Sequence, residues 1–453
     1  MGAQRVDIKS DEAVRLEADV AVVRTHTVST REYMFGRGHT LGILALLSLL
    51  MSFDFADRMI IASLIPIIRT DWQISDAQAG LLGSSLYLGM VLFLVPAAIL
   101  IDRWSRLKTA SLMGVFWSVS SAAGAFTHNV FQLLLTRVGV GLGQAGYAPA
   151  SYAWIATAVP ARRRQLALGL FTAGQPIGMA VGVALGGYIG QHLGWHHALG
   201  LMAVPGLFIA LALYRGRDYP NVPRTAGRTD AATSVVQGLR FIAGSRALTF
   251  NNLAGAFGTF QWVPVFYFLP TFLHRVHAIP VVTASYLTGA VILISIFSIP
   301  LGGWFMDWRS SRRPAAKLTY AWIGSLIGTV LLAIAFGLLR DWVQQYVLIV
   351  VATFFLGAVA TPQISVTQEL VPSYWRALSG SVSILTLHFL GSMPGPFVTG
   401  LISDRFGITN ALLYVGIGAG LLTVFAFVLA RRYYGKDLEK VTASLEADLG
   451  ANL

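Results

Sequence analysis

Residues 98–108 read AILIDRWSRLK, an apolar run that ends on Asp102 and turns basic at once with Arg103, Arg106 and Lys108. Residues 302–313, GGWFMDWRSSRR, repeat the pattern with Asp307, Arg309, Arg312 and Arg313. Each stretch closes one long apolar segment and opens the next. A second pair supports the repeat: Pro160 stands four residues before Arg164, and Pro372 four before Arg376. The chain therefore reads as two similar halves. A transporter that rocks two bundles about a central site is built in this way, and neither an enzyme nor a receptor has particular need of it.

Composition agrees. Hydrophobic residues make up 55% of the 453 positions and charged residues 12%, against ~45–50% and ~25% in soluble globular chains. A helix that spans a bilayer needs ~20 mainly apolar residues. Twelve such windows follow one another: 41–68, 77–101, 109–127, 130–158, 166–191, 197–214, 247–273, 282–306, 317–339, 342–369, 377–402 and 409–431. The predicted fold is an all-α membrane protein with two pseudo-symmetric six-helix bundles, 41–214 and 247–431. A polar tail (1–40), a linker with six arginines (215–246) and a second tail (432–453) complete the chain. Residues 1–40 hold no apolar run long enough for a signal-peptide core. Val235, Leu239 and Ile242 recur at helical spacing, which predicts a helix on the membrane surface within the linker.

The 33 lysines and arginines orient the chain. With both termini inside, 27 fall in cytoplasmic segments and four (Arg69, Arg275, Arg340, Arg405) outside, while Arg58 and Arg137 lie within the membrane. That asymmetry predicts cytoplasmic termini in a cytoplasmic membrane. The net charge of +12 does not imply nucleic acid, because the basic residues sit in short clusters between apolar runs. The absence of cysteine excludes disulfides and Cys-ligated metals. No nucleotide motif, catalytic constellation or metal spacing stands out, so no cofactor is expected, and a monomer in the lipid bilayer is.

The intramembrane charges are the candidate site. Asp54, Asp57 and Arg58 lie on the first helix, Asp54 and Arg58 one turn apart on one face. Arg137 and Gln144, seven residues apart, share a face of the fourth helix. Each ionised group at mid-bilayer costs ~2.5–3.5 kcal/mol on insertion scales, so these residues should face a wet cavity or one another. Gln175, between Gly174 and Pro176, sits where a proline frees backbone groups. Gly174, Gly178, Gly182, Gly186 and Gly190 form a stripe that lets a neighbouring helix approach closely. The second half offers neutral groups: Gln261 and Tyr267 on the seventh helix, Gln363 on the tenth, and His388 on the eleventh. His388 could titrate near neutral pH, although a lone membrane histidine is more often a packing residue.

The two loop motifs resemble the major facilitator superfamily signature G-x-x-x-D-R-x-G-R-[RK]. Here Ala98 and Ser105 replace its glycines, and Leu107 interrupts the basic pair. The resemblance implies a cytoplasmic gate in which Asp102, with Arg103 and Arg106, and Asp307 with Arg309, latch the inner side. Within the superfamily, ADR (Ala56, Asp57, Arg58), RVGVGLGQAGYAPA (137–150) and FTAGQPIG (171–178) resemble the anion:cation symporters, which carry sugar acids and other organic anions. FLPTFL (268–273) and GPFVTGLISDRFG (395–407) are similar to the spinster-like transporters. The first resemblance implies proton-coupled symport of a small organic anion: a monocarboxylate, sugar acid or aromatic acid. The resemblance also assigns Gln175 to the solute site. The intramembrane polar groups complete it with Arg58, Arg137, Gln144, Gln261, Tyr267 and His388. Asp57, which adjoins Arg58 and matches the family pattern, is the expected proton carrier, with Asp54 next in line. Gln144 stands where those symporters carry a glutamate and cannot titrate. The alternatives are a spinster-like or drug-type exporter of an amphipathic solute, and a transporter-like sensor.

Overall fold

A computed structural model describes residues 33–219, 228–310, 315–372 and 375–450. Among them every regular element is a helix. The first half consists of α1 (Arg37–Trp72), α2 (Asp76–Arg103), α3 (Arg106–Gly124), α4 (Val130–Gln144), α5 (Tyr147–Ala158), α6 (Ala161–Leu193) and α7 (Trp195–Tyr214). A linker helix α8 (Arg228–Gly244) leads into α9 (Arg246–His277), α10 (Val281–Ser310), α11 (Ala316–Gly337), α12 (Trp342–Ala358) and α13 (Ala360–Glu369). Then come α14 (Arg376–Leu387), a π-helical turn (His388–Ser392), α15 (Pro394–Phe406) and α16 (Ile408–Gly450). The pairs α4/α5, α12/α13 and α14/α15 are each one crossing in two pieces, so all twelve expected windows are helical.

Nine of the crossings among the described residues are long and apolar enough to span a bilayer on composition alone. The other three, α3, α4/α5 and α9, carry serines, Arg137 with Gln144, and the pair Asn251–Asn252. Their polar groups are buried against other helices, which removes the need for an apolar surface all round. Side-chain caps begin many of the helices. Ser75 and Gln78 form a capping box on α2, and Ser105, Asn129, Ser245 and Asp341 cap α3, α4, α9 and α12. Gly194 (φ 92°) and Gly407 (φ 82°) make the same turn in the two halves, before α7 and before α16, in a backbone region that L side chains rarely adopt.

The C-terminal tail and the linker both differ in detail from expectation, while residues 1–32 of the expected N-terminal tail lie outside the described residues. The C-terminal tail continues α16 as helix to Gly450. Tyr434 and Asp437 there are buried, Tyr434 donating to Glu369 (2.7 Å) and Asp437 accepting from Ala247 N (2.8 Å). The tail is thus packed on the second bundle. In the linker helix Ile242 is buried against the second bundle, whereas Val235 and Leu239 are exposed.

An even number of crossings brings the first and last described residues to one end, here the terminal end. At the opposite, far end the two halves are bonded together. Arg275 on α9 holds Asp76, the first residue of α2, through two bonds of 2.7 and 2.8 Å, and Arg69 lies 3.3 Å from the same carboxylate. Asp404 on α15 reciprocates by accepting from the Asp76 and Ala77 amides at 2.7 and 2.9 Å. Tyr267 donates to the Ala79 carbonyl (2.7 Å), and the Phe397 amide to Ser84 (3.2 Å). These residues all lie in the far half of their helices. Every cross-half hydrogen bond and ion pair with both partners described is of this kind, so the molecule is closed at the far end.

Candidate solute site

The site begins with how α1 packs. Gly178 and Gly182 of α6 sit so close to α1 that an added Cβ would come within 2.0 Å of the Ser52 carbonyl and 2.2 Å of the Ala56 carbonyl. The predicted stripe of glycines therefore seats α1 backbone to backbone on α6. Asp54 and Arg58 lie on another face, half-way along the 36-residue helix.

Arg58 donates to both oxygens of Asp54, Nε to Oδ1 and Nη2 to Oδ2, each at 3.1 Å. Its guanidinium also lies 4.3 Å from the Phe55 ring centroid. Asp57, three residues from Asp54, turns instead into the first bundle. There Ser121 of α3 donates to it, and Arg137 of α4 lies 3.5 Å from its Oδ2. Arg137 also donates to the Asp57 carbonyl at 2.8 Å. The expected quartet of charges thus divides into two pairs. The Arg137 side chain is 2% exposed and that of Arg58 8%; Arg137 braces the back of α1, and Arg58 is the guanidinium set toward the other half.

Tyr87 of α2 marks that boundary. Its ring stacks on His388 of the π turn, with centroids 5.4 Å apart and planes 25° from parallel. Arg58 is within charge–charge range of both rings, and Asp54 of Tyr87. His388 Nδ1 pairs with Ser392 Oγ at 3.1 Å. The π turn supplies this placement, since such turns re-aim side chains within a helix and recur at functional sites. All the far-end bonds lie beyond the stack, which makes it the floor of the space between the halves.

The other expected site residues are distributed as follows. Gln144 ends α4 and donates to the Asp54 carbonyl at 3.2 Å, while its Oε1 is buried without a partner. Gln175 is half-buried, opposite the exposed Leu170, Ile177 and Val181 of α6, and makes no hydrogen bond to a described residue. Tyr267 serves the far-end closure. Gln261 is fully buried inside the second bundle, donating to Thr329 Oγ1 (3.0 Å) and the Gly416 carbonyl (2.8 Å). Of the gate residues, Arg106 stacks on Tyr219 (4.1 Å) and donates to its carbonyl (3.4 Å), and Arg103 is exposed. The Asp102, Asp307 and Arg309 side chains lie outside the described residues. Sequence reasoning missed Tyr87, Asp76, Arg275 and Asp404. Asp404, in the LISDRFG stretch that echoes LIDRWSR, had a legible signal; Tyr87, one aromatic among many, had none.

Two six-helix bundles closed together at one end over a mid-helix charged site define a membrane transporter of the alternating-access kind. The Major Facilitator Superfamily profile matches residues 47–396, and the chain belongs to that family. It is 26% identical over 429 residues to an MFS-type efflux pump of Mycolicibacterium smegmatis, covering 88% of this chain and 93% of that one. It is 24% identical over 392 residues to the hexuronate transporter of Bacillus subtilis, covering 84% and 91%. In fold it is similar to a bacterial homologue of the human lysosomal transporter Spinster, solved inward-facing and unoccupied. The TM-score there is 0.76, at 23% identity, over 90% of this chain and 98% of that one.

Proposed function

We propose that this transporter carries a small organic anion across the cytoplasmic membrane, with Arg58 as its seat and protons as its coupling ion. The Arg58–Asp54 pair carries this reading, because it is a bidentate ion pair at mid-helix on the floor between the halves. A carboxylate solute matches the same fork of donors and competes with Asp54 for it. The hexuronate transporter among the relatives supports an acidic cargo. Positive-inside bias puts the basic terminal end in the cytoplasm, so the closed far end faces outward.

Charge balance supplies the coupling. Asp54, Asp57, Arg58 and Arg137 sum to zero. A bound monoanion makes the sum −1, and one proton on an aspartate restores it. The sequence pointed to Asp57 as the carrier, from its place beside Arg58. The geometry favours Asp54: it is the group that loses its partner when the solute takes Arg58, and a buried carboxylate without a partner is costly as an anion. Asp57 keeps Arg137 and Ser121 throughout. Gln144, bonded to the Asp54 carbonyl, adds no second titrating group.

Uptake of radiolabelled organic acids into proteoliposomes tests both parts. Arg58→Gln should abolish acid uptake while the purified protein remains folded. Asp54→Asn should retain solute exchange and lose accumulation driven by an inward proton gradient. Normal uptake by Arg58→Gln would remove the anion seat. Stabilisation of the protein by amphipathic amines and by no acid would favour the exporter instead.

A further inference from the structure

The proposed anion seat leaves open what surrounds the rest of the solute, and here the distribution of polar groups is uneven. An acid rich in hydroxyls needs several amides and hydroxyls free to answer them, because buried polar groups that go unpaired are costly on both sides. In the second half three of the buried amides, Asn251, Gln261 and Gln363, already donate inside the bundle, and Asn252 is the exception. Asn251 donates to the Gln363 carbonyl (2.9 Å) and to Thr367 Oγ1 (3.1 Å), Gln363 donates to Ser383 Oγ (2.9 Å), and Gln261 is held by Thr329 and Gly416. Thr259 and Thr386 bond the carbonyls one turn back on their own helices, at 2.8 Å each.

Rings stand at the boundary instead. Tyr87 comes from one half and His388 from the other; they stack across the interface, and Phe55 lies under the Arg58 guanidinium. His388 is anchored through Nδ1 to Ser392, with its imidazole plane 25° from that of the phenol. Flat faces of this sort prefer flat partners at stacking distance. Gln175 in the first half and Asn252 in the second are amides that make no hydrogen bond to a described residue, and Gln144 keeps a free Oε1, enough for a few polar substituents but not for a ring of hydroxyls.

Resting on the anion reading, we propose that the solute is a flat ring acid, its carboxylate on Arg58 and its ring against the Tyr87–His388 pair. Tyr87 and His388 are then specificity residues: they select the ring and not the charge. Because they belong to different halves, a ring held by both also joins the two bundles at the level of the charged pair. A polyol acid would satisfy Arg58 and find few partners for its hydroxyls.

Isothermal titration of the purified full-length protein with benzoate, cyclohexanecarboxylate and gluconate tests the proposal. The three share a carboxylate and differ in flatness and hydroxyl content. Benzoate should bind most tightly, cyclohexanecarboxylate less and gluconate least. A single ring contact is worth roughly threefold to tenfold in affinity. Tyr87→Leu and His388→Leu should each weaken benzoate by that factor and leave gluconate unchanged. Tyr87→Phe and His388→Phe keep the stack and should keep the preference, which also guards against a leucine variant that fails to fold. Equal affinity for benzoate and gluconate, or an equal loss for both in the leucine variants, would overturn the ring proposal and leave the anion seat standing. Binding of none of the acids would overturn both. Arg58→Gln separates the two ideas, since it should weaken every acid alike without changing their order.

Discussion

Arg137 and Arg58 look equivalent in the sequence, each a lone cation in an apolar helix, yet they have different tasks. Arg137 is clamped between the Asp57 carboxylate and the Asp57 backbone carbonyl, with both side chains almost wholly buried. Removing one member of a buried pair strands the other, at a cost of about 3–5 kcal/mol. Arg137→Gln should therefore lower the thermal midpoint in detergent sharply, and adding Asp57→Asn should recover most of the loss. If Arg137→Gln melts like the parent, the pair is not a brace. That the membrane charges form the heart of the molecule was legible, because an ionised residue in an apolar run must be paired or used. Which carboxylate meets which arginine was not legible. Asp54 and Asp57 are 60° apart on one helix, and only the placement of α3, α4 and the second half decides their partners. For the same reason the expected roles of Gln261 and Tyr267 could not be separated: both are polar residues of α9, on faces that the sequence alone does not assign.

Helix α6 shows the opposite case, a feature read correctly from spacing. Its glycines recur every four residues, and the structure uses them as a groove for α1. Gly182→Val would drive a side chain into the Ala56 backbone, where the added Cβ alone lies 2.2 Å from the carbonyl oxygen. Helix packing cannot absorb this without moving α1, and with it the Asp54–Arg58 pair. The variant should fail to fold or should lose transport, as size-exclusion profiles and uptake would report. Gly169→Ala, with nothing within 4 Å, should behave as the parent. A Gly182→Val protein that folds and transports normally would mean that α1 does not depend on this groove. Breaks in helices were less legible. The interruption after Gln144 and the π turn at His388 each lie about one turn before a proline, Pro149 and Pro394, which cannot donate to the Ala145 and Leu390 carbonyls, but the spacing alone does not say whether the helix kinks, breaks or widens there. The π turn is what turns a histidine in an apolar stretch into a partner for Tyr87.

Over the whole molecule, the twelve crossings and the twofold repeat followed from hydropathy and from two short motifs, because a bilayer leaves a chain few options. The conformational state was beyond the sequence, since the same residues must serve both open and closed forms. Here the far end is held by a reciprocal exchange: Asp76 takes Arg275 and Arg69, and Asp404 takes the first amides of α2. Asp76→Asn should loosen this end and shift the population toward the state open there. The absence of cysteine makes the shift measurable against no background. His388→Cys puts one thiol in the stack itself, at the floor of the space between the halves, and leaves the Arg58 seat intact. A membrane-impermeant thiol reagent should reach it, with Asp76 intact, from the terminal side only. Benzoate should protect it, and Asp76→Asn should add labelling from the far side. Equal labelling from both sides with Asp76 intact, or labelling from the far side alone, would contradict a central site closed at the far end.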